Sequence, residues 1–73
     1  MKTNREIVEN CNALARKYYA MQGYQVDESF KFYQSTFPAE VLCWEMAMAA
    51  YDFIEGTEVD GALDEWIDDQ VSE

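Results

Sequence analysis

Residues 38–55 read PAEVLCWEMAMAAYDFIE, and the fold turns on how this stretch is read. Pro38, the only proline of the chain, suits the first turn of a helix, where its missing amide hydrogen is not needed. Gly56 follows as a stop signal. In a helix from Pro38 to about Glu55, the apolar side chains from Val41 to Ile54 surround nearly the whole cylinder, leaving a thin polar stripe at Glu45 and Asp52. A helix apolar on so many sides has to be covered on most of them. Residues 41–54 are therefore expected either to be wrapped by their own chain or to meet a second copy or another partner. Ala47, Ala49 and Ala50 would let a neighbouring helix come close.

On the amino-terminal side, Thr3 followed by Glu6 forms a capping-box pattern that opens a first helix, placed at residues 4–22. Ile7, Cys11, Leu14, Tyr18 and Met21 recur in steps of four and three, and Val8, Ala15 and Tyr19 widen the stripe into one buried face. Arg16 and Lys17 lie toward its carbonyl pole, and Gly23 can take the left-handed conformation that closes a helix.

Between the two helices, residues 24–37 admit two readings. Tyr24, Val26, Phe30, Phe32, Tyr33 and Phe37 fit either a turn of helix capped by Asp27, or a hairpin pairing Tyr24–Val26 with Phe30–Phe32. The helical turn is preferred, because isolated two-stranded ribbons are marginal in water. In both readings the aromatics are expected to cover the helices. On the carboxyl-terminal side, Thr57 with Asp60 reads as a weaker capping box for a third helix, whose apolar face is Val59, Ala62, Leu63, Trp66, Ile67 and Val71. Its opposite face is acidic, with like charges four residues apart at Asp64 and Asp68 and at Glu65 and Asp69, so the helix depends on packing, with Trp66 as its anchor. The expected fold is all-α: a small bundle of two long helices and a shorter acidic third, joined by an aromatic-rich connector, in one domain over residues 1–73.

Composition limits what such a domain can do. The chain has 73 residues, 49% of them hydrophobic, with 15 acidic and 5 basic side chains, no histidine and a net charge of −10. That is enough apolar content to fold, although a domain of this size buries only about 60% of the surface its unfolded chain exposes. All five bases lie in residues 1–31, whereas residues 32–73 carry eleven acids and no base. A half so charged is repelled by phosphate backbones and anionic lipid, which disfavours direct nucleic-acid or membrane binding. The amino terminus shows no apolar run of the length a signal peptide or membrane span needs, and the expected compartment is the cytoplasm. Cys11 and Cys43, 32 residues apart, fit no zinc spacing and read as buried free thiols.

The absence of histidine removes the commonest general base near neutral pH and the commonest metal ligand. Gly23, Gly56 and Gly61 are isolated and form no phosphate loop. An EF-hand alignment on Gly61 or Gly56 places Gly56 or Tyr51 at the first ligand position, so that reading fails. No catalytic, metal or cofactor residues are expected, and the chain reads as non-enzymatic.

What remains is the acidic third helix. Asp60, Asp64 and Asp68 stand one turn apart, about 6 Å per step, with Glu65 and Asp69 as a second row and Trp66 beside them. These six residues are the candidate partner-binding set, for a protein partner that is basic or binds DNA. The same ladder could imitate duplex phosphates, making the chain a DNA mimic, or neutralise a basic toxin as an antitoxin does. The bland reading is a solvated face that keeps a small protein soluble.

The runs ENCNALARKYYAMQG at 9–23 and YDFIEGT at 51–57 resemble those of small uncharacterised accessory proteins encoded between the exonuclease and excisionase genes of lambdoid phages. The resemblance spans most of the chain. It implies a helical accessory protein acting in the host cytoplasm on host physiology or on the lytic–lysogenic choice, and it supplies no catalytic or binding positions.

Overall fold

The chain is described by a computed structural model covering residues 2–71, with side chains through residue 68. Helix α1 spans Asn4–Met21. The Thr3 hydroxyl accepts the amide hydrogen of Glu6 at 3.2 Å, as the capping pattern predicts. At the other end the Gly23 amide donates to the Ala20 carbonyl at 3.0 Å, and Gly23 itself sits at φ +94°, so the chain leaves the helix where glycine permits it. Helix α2 spans Pro38–Glu55, with Pro38 in its first turn and Gly56 left-handed at φ +65°. Helix α3 spans Val59–Val71. Among the described residues there is no strand, and the bundle is all-α as expected.

The start of α3 differs from the sequence reading. Thr57 does not cap it. Asp52, near the end of α2, reaches across the turn, and its Oδ1 accepts both the Val59 amide at 2.9 Å and the Thr57 hydroxyl at 3.1 Å. A carboxylate at the positive pole of a helix satisfies an amide left free by the first turn. The helix accordingly begins one residue later than a Thr57 cap would place it, and Asp52 belongs to the joint between helices rather than to a solvated stripe.

Helix α1 is the hub. It packs along both α2 and α3, which touch each other over a shorter length. Its buried line is one stripe, within an arc of about 100° but centred elsewhere than expected: Val8, Cys11, Asn12, Ala15 and Tyr19 are buried. Ile7, Leu14 and Tyr18 pack at its edge, and Met21 is 80% exposed at the helix end. Both cysteines are free and buried, as predicted.

The connector is not a hairpin; it holds the preferred short helical turn, though later in the segment and not capped by Asp27. Asp27 closes a turn, its carbonyl accepting the Phe30 amide at 3.0 Å and its carboxylate the Ser29 amide at 3.4 Å. A single 3₁₀ turn follows at Phe32–Gln34. The segment is held from α1 by Asn12, whose Nδ2 donates to the Phe30 carbonyl at 2.7 Å and whose Oδ1 accepts the Phe32 amide at 2.7 Å. This clamp seats Phe32 in the core, 1% exposed, edge-on to Tyr19 at 5.5 Å and to Phe30 at 4.8 Å. Tyr33 bridges Trp44 of α2 and Trp66 of α3 at 5.6 and 5.9 Å. Three connector aromatics thus cover the helices as expected, and half-exposed Tyr24 stacks on Tyr19 at 4.8 Å, while Phe37 remains largely exposed.

Only one side of α2 is covered. Cys43, Trp44, Ala47 and Tyr51 enter the core, whereas Leu42, Met46, Phe53 and Ile54 are exposed. The molecule measures 37 × 27 × 19 Å, and 19 Å is room for two layers of helix at about 10 Å each. Among the described residues no third layer covers the outer face of α2.

Candidate interaction surface

The apolar side of α3 is set by Val59, Ala62 and Leu63, all buried, with Trp66 half-buried against Tyr33. Trp66 therefore anchors the helix to the core and offers only part of its ring to solvent. Fixing that side turns the carboxylates outward: Asp60, Asp64, Glu65 and Asp68 are exposed. The side chain of Asp69 lies outside the described residues, as does that of Val71.

The candidate set does not act as one uniform row. Glu65 is tied down, its Oε2 accepting from Asn4 Nδ2 at 2.9 Å and pinning α3 to the start of α1. Asp60, Asp64 and Asp68 form the outward line. Among the described residues the ion pairs are Lys2–Glu55 at 3.1 Å and Arg5–Glu9 at 2.9 Å, which engage two of the five cations of residues 1–31, and neither pair reaches α3. Exposed pairs of this kind contribute little to stability. Their consequence here is to leave the α3 charge unbalanced.

A polar knot closes the opposite end of the molecule. Glu40, in the first turn of α2, accepts from the Tyr19 hydroxyl at 3.2 Å and from the Ser35 hydroxyl. Burial, and then the neighbouring Glu40 charge, push the Tyr19 phenol above its ordinary range. Gln22 Nε2 donates to the Cys43 sulfur at 3.2 Å, which further fixes that end of α1 on α2. Lys2, with its charge held by Glu55 and then Tyr51, is raised as well, and sits 5.5 Å from the Tyr51 ring centre.

Burial also governs the thiols. The Cys11 thiol is fully buried and pushed up to about 12, by desolvation first and by the Asp52 charge second. Below pH 9 the thiol is neutral whether folded or not. Above that, the unfolded thiol ionises at its ordinary 9.0 while the folded one waits until about 12. The unfolded chain then binds fewer protons, so stability is expected to fall as pH rises across this window, by at most about 1.4 kcal/mol per pH unit for the one group. Urea midpoints between pH 8 and pH 11.5 should drop more steeply for the native chain than for Cys11→Ala. Tyr19 and Tyr33, both raised chiefly by desolvation, keep a residual slope of the same sign in the variant.

Among the described residues no helix is long and apolar enough to cross a membrane, and no three metal-ligating side chains gather. The fold defines the class as a small all-α three-helix protein. The chain matches no family model, no curated protein and no solved structure.

What the sequence reading missed is the sidedness of α2. Its apolar residues run all round the helix, so nothing in their spacing says which of them face inward. The exposed row Leu42, Met46, Ala49 and Phe53 emerges only from the packing of α2 on α1.

Proposed function

We propose that this chain is a non-enzymatic, acidic protein-interaction module that acts by binding a basic host or regulatory protein. The observation that carries the reading is the outward line Asp60, Asp64 and Asp68, in a half-chain with eleven acids and no base. Such a field accelerates encounter with a positive partner and repels nucleic acid itself.

Deleting the third helix is a poor test, because Val59, Ala62 and Leu63 are buried and their loss would open the core. Charge-neutral substitution is cleaner. The triple variant Asp60→Asn, Asp64→Asn, Asp68→Asn should keep its circular dichroism spectrum and lose most of the partner that the immobilised native chain retains. Equal recovery by both chains would refute the reading. A duplex-DNA mimic is the second reading, favoured by the one-turn spacing of the three aspartates, about 6 Å. In that case the partner binds nucleic acid and duplex DNA displaces the chain at low salt; failure of that displacement excludes mimicry and leaves the wider reading standing.

A further inference from the structure

The outer face of α2 carries an apolar seam that the other described residues leave bare. Leu42, Met46 and Phe53 are 52%, 40% and 91% exposed, and Ala49 among them is exposed too. Steps of four, three and four residues place all four within an arc of roughly 60°, at about 100° per residue, opposite the buried Ala47 and Tyr51. Single exposed apolar side chains are ordinary, but a continuous row marks a contact surface. The spacing is that of a helix-on-helix seam, and Ala49 leaves a hole into which a knob can fit.

The charge beside the seam selects the occupant. One edge carries Glu45, exposed, and Asp52, which also holds the start of α3; the other edge carries Ala50. No base occurs anywhere in residues 32–73, and Lys2 is engaged with Glu55 at the far end of the helix. A second copy is poorly matched. Antiparallel pairing about a twofold axis would lay the Glu45–Asp52 edge along the same edge of its mate, and parallel pairing would align like helix poles. Either arrangement brings together two chains of net charge −10.

We infer that the α2 seam receives an amphipathic helix of the partner protein, with large apolar residues on the facing seam and lysine or arginine along the edge that meets Glu45 and Asp52. This rests on the reading of the chain as an acidic interaction module, and it makes α2 the docking helix, with α3 supplying long-range attraction.

The probe is a synthetic helical peptide of about 18 residues, the length of α2, with leucine at seam positions and lysine on the flanks. Its controls are a scrambled peptide of the same composition and a twin with glutamate flanks. Each is titrated by fluorescence anisotropy against the native chain, Leu42→Ala/Phe53→Ala, and the α3 triple asparagine variant. The native chain should bind the lysine-flanked helix, more weakly as salt rises, and Leu42→Ala/Phe53→Ala should weaken it by about tenfold or more. The scrambled and glutamate-flanked peptides should bind worse still, and the α3 variant should lose affinity for the peptide only modestly, because the peptide meets α2 alone whereas a whole basic partner is also drawn by α3.

If the α3 variant abolishes binding while the α2 variant leaves it intact, docking on α2 is overturned and the acidic-module reading survives. If the native chain prefers none of the three peptides, docking on α2 is likewise overturned, and the recovery experiment of the preceding section still decides the wider reading. If the free chain sediments as a dimer that Leu42→Ala/Phe53→Ala dissolves, the occupant is a second copy and the inference fails.

Discussion

Replacing Asn12 by leucine is expected to cost about 2–4 kcal/mol of folding stability, although the substitution is close to isosteric and adds apolar surface to an apolar core. Asn12 is 6% exposed, and both ends of its amide are used: Nδ2 donates to the Phe30 carbonyl and Oδ1 accepts the Phe32 amide, each at 2.7 Å. The two partners fix the orientation of the amide, since a carbonyl can only accept and an amide hydrogen can only be given. Leucine leaves no large cavity but strands both groups, and an unmet polar group removed from water costs about 1–3 kcal/mol. At roughly 0.05–0.15 kcal/mol per residue, a chain of this length holds about 4–11 kcal/mol in all, so the loss is a large fraction of the whole. The check is a urea transition followed by circular dichroism. Asn12→Asp separates the two bonds: ionised, it still accepts from Phe32 but sets a lone pair against the Phe30 carbonyl. Relative to the native chain it should recover below the ordinary carboxyl range, near pH 4, where the protonated acid can donate again. A leucine variant as stable as the native chain would show that the clamp does not hold the connector.

The same contact explains where the sequence was readable and where it was not. Thr3, Gly23, Pro38 and Gly56 place the ends of α1 and α2 because each acts on the backbone within a few residues of itself, so the chemistry is written locally. The connector is governed by Asn12, about twenty residues upstream on a different element, and no pattern within residues 24–37 records that. The start of α3 is governed by Asp52 on α2, so a cap read from Thr57 and Asp60 fell on the wrong residues. Of the candidate site, the outward line of Asp60, Asp64 and Asp68 was legible as the side opposite Val59, Ala62 and Leu63, a consequence of helical spacing alone. The tie of Glu65 to Asn4, sixty-one residues earlier, was not. Nor was the bare side of α2: with apolar residues all round a helix, only the position of its neighbour decides which of them meet water.

Two phenylalanines of similar appearance in the sequence should therefore give opposite results. Phe32→Ala is expected to destabilise the fold by about 3–5 kcal/mol, a large fraction of the about 4–11 kcal/mol that a chain of this length holds. Phe32 is 1% exposed, lies edge-on to both Tyr19 and Phe30, and sits where the connector closes over α1 and α2, so its removal opens a cavity that three elements line. Phe53→Ala should change stability by no more than about 0.5 kcal/mol, because a side chain 91% exposed has little burial to lose. Parallel urea transitions read both numbers directly. The contrast matters for function as well as for folding: a variant that empties the α2 seam without touching the core can report on binding, whereas one that empties the core reports only on folding. If Phe53→Ala instead weakened the fold as much as Phe32→Ala, Phe53 would have to be covered in solution, and the bare outer face of α2 on which the docking inference stands would not exist.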